Sequence, residues 1–402
     1  MNYNKHFNIN IRILYSIFFA IYPLLCIYKG FYHFTIGDVI LMLFFVFALL
    51  DYLFFSKNFK KIIFNEQFTI FFIASIYFLV NTLINSQLQN LDTESLFTLV
   101  FRLAKFIFYM LSVFLCTPRM LDYKIFKKTI IFVGIISTIF IMMQYLFYYA
   151  FGKIVLGQIN GLTVYLDEYT KLDYDKIFDY NFRPSSFFLE PSMFTQFLIV
   201  PLTLSVFDPL KKNKLINITI NIFLTIGIIL STSGQGFFYI FIVYLLYFFY
   251  TIKNKLQFLL YLLLFLLLVI LLYNNFEVFK FSVDRFLFNK NASSARLGAY
   301  SYCLSLKNFE LLFGFGYGNV IKDVYFPGTA YIWYSGGLIG LMIILFLFFI
   351  FYKKANFLFT KIISILFFVM FFGTALFYNY MIFWFFSIEF LSSPNKMIVK
   401  TN

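Results

Sequence analysis

TIIFVGIISTIFIMMQYLFYYAF, residues 129–151, runs for 23 residues without one charged side chain. At 1.5 Å per residue a helix of this length reaches about 35 Å. That exceeds the ~30 Å hydrocarbon core of a bilayer. Similar runs fill the chain on both sides of it. Of 402 residues 62% are hydrophobic and 12% charged, with mean hydropathy +0.84. A soluble domain is nearer half apolar and one quarter charged, so this composition excludes a soluble globular protein. The reading is an all-α polytopic integral membrane protein forming one membrane domain over 1–402.

The spans read from the apolar runs are 13–28, 36–55, 62–84, 95–116, 129–151, 187–207, 215–230, 237–251, 256–273, 329–351, 357–377 and 380–391. That makes about 12 transmembrane helices. Lys5 and Arg12 precede the first run as in a signal peptide, but no small-x-small cleavage site follows, and the run is read as a span. Formal net charge is +14. In a soluble protein such an excess suggests nucleic acid; here it reports topology, because Lys and Arg near span ends stay in the cytoplasm. One side carries 19 of the 32 basic residues, among them Lys60, Lys61, Arg119, Lys127, Lys212, Lys255 and Lys354. The other side has 11, ten of them in two long loops, 152–186 and 274–328. Both termini are therefore expected in the cytoplasm and both long loops outside, where function concentrates when other connections are short.

Three cysteines in apolar surroundings give neither a disulfide framework nor a zinc site. With His6 and His33 as the two histidines, the long loops hold no histidine-based triad or metal site. Asp173, Asp175 and Asp179 imitate the start of a calcium loop, but Phe178 and Pro184 stand where its glycine and last glutamate belong. No metal or cofactor is expected.

The first loop ends in FRPSSFFLEPSMFTQF, 182–197, with Pro184 and Pro191 beside the start of a span. Glu190 and Ser192 suit helix-start capping, yet Arg183 and Glu190 are also opposite charges at the lip of a span. The second loop holds Arg285, Arg296 and LGAYSYCLSLKNFELLFGFGYGN, 297–319. Leu297, Tyr300, Leu304 and Phe309 approximate one apolar helix face. Gly314, Gly316 and Gly318 permit positive φ and close approach to a ligand, with Asn319 beside them; with no strand before them they do not make a dinucleotide fold. Arg102 and Lys105 share one helix face some 7 to 10 residues below an outer end, where ionisable groups line a polar cavity, bind a ligand or form an internal pair, for instance with Glu66 or Glu389.

Taken in order, these segments resemble the O-antigen polymerase family, Wzy-type enzymes related to the O-antigen ligases of bacterial envelopes. The resemblance rests on Arg183 before Glu190-Pro191-Ser192, on LSTSGQGFF at 230–238, on Arg296 leading to LFGFGYGN, and on YSGGLIGL at 334–341. It implies a bacterial cytoplasmic (inner) membrane enzyme and a substrate of oligosaccharide repeat units on undecaprenyl pyrophosphate. It implies transfer of the growing glycan from that carrier to the next unit at the external face, for O-antigen, capsule or exopolysaccharide. In that reaction Arg183 and Arg296 stabilise the leaving pyrophosphate, and Glu190 is the candidate base or an orienting group. Arg285, Arg102, Lys105, Gly314, Gly316, Gly318 and Asn319 are candidate substrate contacts. Membrane lipid, a flippase and a chain-length regulator are the implied partners, and nucleic acid is not one. O-antigen ligases usually carry a His just before the Gly-Leu-Ile-Gly span; none stands at 326–329, which favours polymerase over ligase. A lipid-linked oligosaccharide flippase is the rival from another class, and the two long loops argue against it.

Overall fold

The structure is a computed structural model, and it describes residues 9–55, 65–88, 96–164, 182–207, 214–252, 254–275, 290–321, 324–355, 357–373 and 380–390, together with Lys280 and Asp284. Among the described residues the regular elements are helices, in the order α1 Ile9–Leu25, α2 Ile36–Phe55, α3 Glu66–Leu88, α4 Leu96–Leu115, α5 Thr117–Met120, α6 Tyr123–Phe151, α7 Pro191–Phe207, α8 Lys214–Leu230, α9 Gly234–Thr251 and α10 Lys255–Asn275. The order continues with α11 Lys290–Ser305, α12 Asn308–Phe313, α13 Gly328–Lys354, α14 Leu358–Gly373 and α15 Met381–Phe390. Six of them (α2, α3, α4 extended by α5, α6, α9 and α13) are long and apolar enough to cross a membrane, and six further apolar stretches of helix have 10 to 17 residues, that of α10 being Leu262–Asn275. The chain is membrane-embedded. Water would not tolerate its outer surface, where α10 alone exposes Leu256, Leu259, Leu260, Leu263, Leu264, Leu267, Ile270 and Leu271.

The chain divides into two compact units. One comprises residues 1–19, 38–123 and 294–402; the other comprises 20–37 and 124–293.

The first unit is organised on α15, whose residues from Met381 to Phe390 are all buried. Phenylalanines supply the packing: Phe386 lies 4.7 Å from Phe351, Phe385 stacks on Phe367 at 4.7 Å, and Phe390 meets Phe114 edge-on at 5.4 Å. Some buried polar groups pair across helices. Trp384 Nε1 donates to the Phe19 carbonyl at 3.0 Å, and Thr117 Oγ1 donates to Ser387 Oγ at 2.9 Å. Arg119 forms an ion pair with Asp51 and covers the Tyr52 ring at 3.3 Å.

The second unit is organised on α7, buried continuously from Phe194 to Phe207. Small residues let its neighbours close in. A Cβ on Gly134 of α6 would lie 3.2 Å from Pro201, and one on Gly227 of α8 would lie 2.4 Å from Thr138. Close backbone approach of this kind is how helices associate without a hydrophobic driving force. The start of the first long loop is tied down by an isolated bridge between Tyr28 and Val164 and by Lys29 N donating to Thr163 O at 2.8 Å.

Two expectations are corrected. The sixth apolar helix begins at Pro191 and not at 187; residues 182–190 stay non-helical, because Ser186 sits at φ +54° and proline suits the first turn. Leu297, Tyr300, Leu304 and Phe309 do not share one helix. α11 stops at Ser305, Lys307 is extended, and Phe309 belongs to the separate six-residue α12.

Candidate functional site

In the second unit one face of α6 carries Ser137, Phe140, Gln144 and Tyr148, at intervals of three and four residues, and this face holds the end of the first loop. Gln144 makes three hydrogen bonds. Its Nε2 donates to Val155 O at 2.8 Å and Ser186 O at 3.4 Å, and its Oε1 accepts from Ser186 N at 2.9 Å. Ser186 Oγ donates to Ser137 O at 2.7 Å. Phe187 stacks on Phe140 at 4.5 Å, and Phe182 stacks almost parallel on Tyr148 at 4.2 Å. Arg183 is thus carried, half-buried, on a loop fixed at both of its flanks. It stands near enough to Tyr145 to act on it electrostatically.

Glu190 stands directly before Pro191, where its carbonyl accepts from Phe194 N at 3.1 Å at the start of the helix. Its carboxylate accepts from Ser192 Oγ at 2.8 Å. Thr195, one turn further, donates to Ser192 O at 2.8 Å and lies 3.4 Å from Ser233 Oγ in the 230–238 turn. Tyr145 OH donates to Leu230 O at the other end of that turn, at 2.8 Å. Arg183, Glu190 and the turn therefore gather around Tyr145 and Thr195. Ser231, Thr232, Ser233 and Gln235 are buried there, with Thr232 at φ +56°, a strained value for a β-branched residue. A guanidinium fork, a carboxylate and several hydroxyls in one place suit binding of an anionic group and removal of a hydroxyl proton.

In the first unit the sequence-predicted residues assemble differently. Lys105 pairs with Asp38 at 3.3 Å, and Tyr109 OH donates to the same carboxylate at 2.8 Å. Asp38 is wholly buried. The expected partners are corrected: Glu66 pairs with Lys354 at 3.0 Å instead. Arg102 donates to the Gly318 carbonyl.

The glycine loop approaches backbone. Gly337 interrupts α13 at φ +64°, and the Tyr334 and Ser335 carbonyls, which a continuous helix would offer to amides four residues on, accept from Phe315 N at 3.0 Å and Gly316 N at 2.9 Å. Asn81 Nδ2 adds bonds to Phe313 O at 2.7 Å and Ser335 O at 3.2 Å, and Tyr77 OH donates to Gly336 O at 2.6 Å. A Cβ on Gly314 would lie 2.5 Å from Gly337 N, so glycine is required there for contact with protein backbone. Asn319 folds back, its Nδ2 donating to Phe315 O at 3.2 Å.

Arg296 lies in α11; Arg285 and the acidic cluster Asp173, Asp175 and Asp179 lie outside the described residues. Among the described residues there is no group of three or more His, Cys, Asp or Glu spaced to hold a metal ion. Sequence reasoning passed over Asn81, Gln144 and Tyr145. Their signal was polar side chains in apolar runs, Asn81 and Asn85 four apart on one face, and Gln144 four beyond Phe140.

No family model matches this chain, and no curated protein matches it.

Proposed function

We propose that the chain polymerises lipid-linked oligosaccharide repeat units, with about twelve spans, both termini cytoplasmic and the two long loops external, in a bacterial cytoplasmic membrane. The observation that carries the reading is pairwise assembly of the motif segments. The Arg183–Glu190–Ser192 stretch meets the 230–238 turn through Thr195–Ser233 and Tyr145–Leu230. LFGFGYGN meets YSGGLIGL through Phe315–Tyr334 and Gly316–Ser335. The four segments on which the resemblance rests thus come together two by two.

In this reading the hydroxyl of an incoming repeat unit attacks the anomeric carbon of the carrier-linked chain. The new C–O bond forms as the bond to pyrophosphate breaks. Glu190 takes the hydroxyl proton, and Arg183 and Arg296 are each candidates to stabilise the charge on the departing pyrophosphate. Arg102, Lys105 and the glycine loop are candidate substrate contacts in this reading.

The test is charge-preserving substitution. A charge-assisted hydrogen bond felt only in the transition state is worth about 1.5 to 3 kcal/mol, or about 10- to 150-fold in rate. Arg183→Lys and Arg296→Lys are each expected to lose most polymerisation at normal expression, Arg285→Lys an intermediate share, and Lys171→Ala and Lys176→Ala almost none. Normal polymer from both of the first two variants would sink the bidentate role.

The interrupted α13 favours one second reading, a flippase, because transporters build substrate sites at broken helices. The surface glycan of a deletion strain separates the two. Single repeat units on the lipid core indicate lost polymerisation, whereas complete units trapped at the cytoplasmic face indicate lost flipping.

A further inference from the structure

The break in α13 and the loop that fills it have two ways of satisfying the same backbone. In the present arrangement the Tyr334 and Ser335 carbonyls are served by Phe315 N and Gly316 N, with Asn81 and Tyr77 adding side-chain donors. If Gly337 left φ +64° for helical values, Leu338 and Ile339 would serve the same two carbonyls within α13, and no acceptor would be stranded in an apolar setting. Glycine reaches both conformations at little cost, which few other residues do. The loop is built for the same exchange. Gly314, Gly316 and Gly318 all hold positive φ, and its other ties include Tyr317 N to Thr82 Oγ1 at 2.9 Å, Arg102 to Gly318 O, the Tyr317 ring 4.9 Å from Phe78, 5.4 Å from Phe106 and 5.7 Å from Tyr331, and the Phe315 ring 4.7 Å from Tyr334.

We infer that segment 313–320 is a strap with two seats. In one it occupies the break and uses up a bond of Arg102; in the other it lifts away, α13 closes into a continuous helix, and that bond of the guanidinium becomes available to an anionic group. Asn81 sets the seated position, because its one amide bonds both the strap, at Phe313, and the broken helix, at Ser335. The device does not depend on the reaction proposed above, and its test reads no activity.

The full chain in lipid nanodiscs, with Cys26, Cys116 and Cys303 replaced by serine, receives the reporter Val320→Cys. Val320 is 2% exposed in the seated arrangement. Its labelling by a charged maleimide is measured in the parent and in two variants. Gly337→Ala places a Cβ 2.2 Å from Leu312 O and disfavours the positive φ; it is expected to raise labelling tenfold or more. Asn81→Ala removes two donors without adding bulk and is expected to raise it severalfold. Gly298→Ala, whose Cβ would meet open space, is expected to label as the parent does. Parent-like labelling in Gly337→Ala with helicity and elution unchanged would overturn the inference. Should that variant fail to fold, Asn81→Ala decides alone, and parent-like labelling there overturns it equally.

Discussion

Replacing Gln144 by leucine removes three hydrogen bonds at once while leaving an apolar side chain of similar size on α6. Three main-chain groups lose a partner: the Val155 carbonyl and both the amide and carbonyl of Ser186. Val155 is half-buried and can turn to water, whereas Ser186 is wholly buried. An unsatisfied buried group costs about 1 to 3 kcal/mol. The two stranded Ser186 groups then amount to about 2 to 6 kcal/mol, or about 30- to 20,000-fold in the population of the open loop. Amide hydrogen exchange over 182–190 reads that factor directly, and, under the polymerase proposal, polymer length in a complemented deletion strain reads its effect on Arg183. Gln144→Glu keeps the acceptor for Ser186 N while losing both donors, so its loss of protection is expected to be smaller. A folded Gln144→Leu protein with wild-type exchange across this loop would refute the claim that Gln144 positions Arg183.

Asp38→Leu or Lys105→Leu alone strands a buried charge and is expected to cost about 3 to 5 kcal/mol, whereas the double replacement costs less than either single one; thermal unfolding in detergent compares the three, and additive losses would argue against the pair. Burial pushes the Cys303 thiol up to about 12, so below that pH the unreactive thiol predominates. With Cys26 and Cys116 buried as well, the folded protein is expected to take up no maleimide at pH 7.5, and the denatured protein three equivalents. Reporter fusions after Asp173 and Ser293 are expected to be active only outside the cytoplasm, those after Lys212 and Lys354 only inside, and a cytoplasmic signal at Asp173 would invert the topology.

Helix existence was legible because an apolar run near 20 residues has few alternatives to a helix, and boundaries such as 36–55 follow from composition alone. Partnership was not. Arg102 and Lys105 were visible as charges on one helix face, but the Asp38 carboxylate that holds Lys105 lies on another helix and leaves no periodic trace. YSGGLIGL was visible as a motif and its break was not, since two adjacent glycines in an apolar helix also serve plain close packing. Ser186 was hidden for a related reason: its positive φ is imposed by Gln144 and Ser137, which lie over forty residues earlier.

The first unit is assembled from chain segments separated by nearly the whole of the second. Asn81 waits 232 residues for Phe313, and Arg102 waits 216 for Gly318. At about 5 to 20 residues per second the ribosome takes roughly 10 to 40 s to supply the partner of Arg102. During that interval a guanidinium and the Asn81 amide sit in newly inserted helices with their final acceptors not yet made. The other unit, by contrast, has all its segments, 20–37 and 124–293, made by then. Biogenesis therefore carries a timed vulnerability. Nascent chains halted near residue 290 expose the polar face of α3 and α4 to lipid, and are expected to be retained by insertion factors or degraded unless residues 294–390 are supplied in trans.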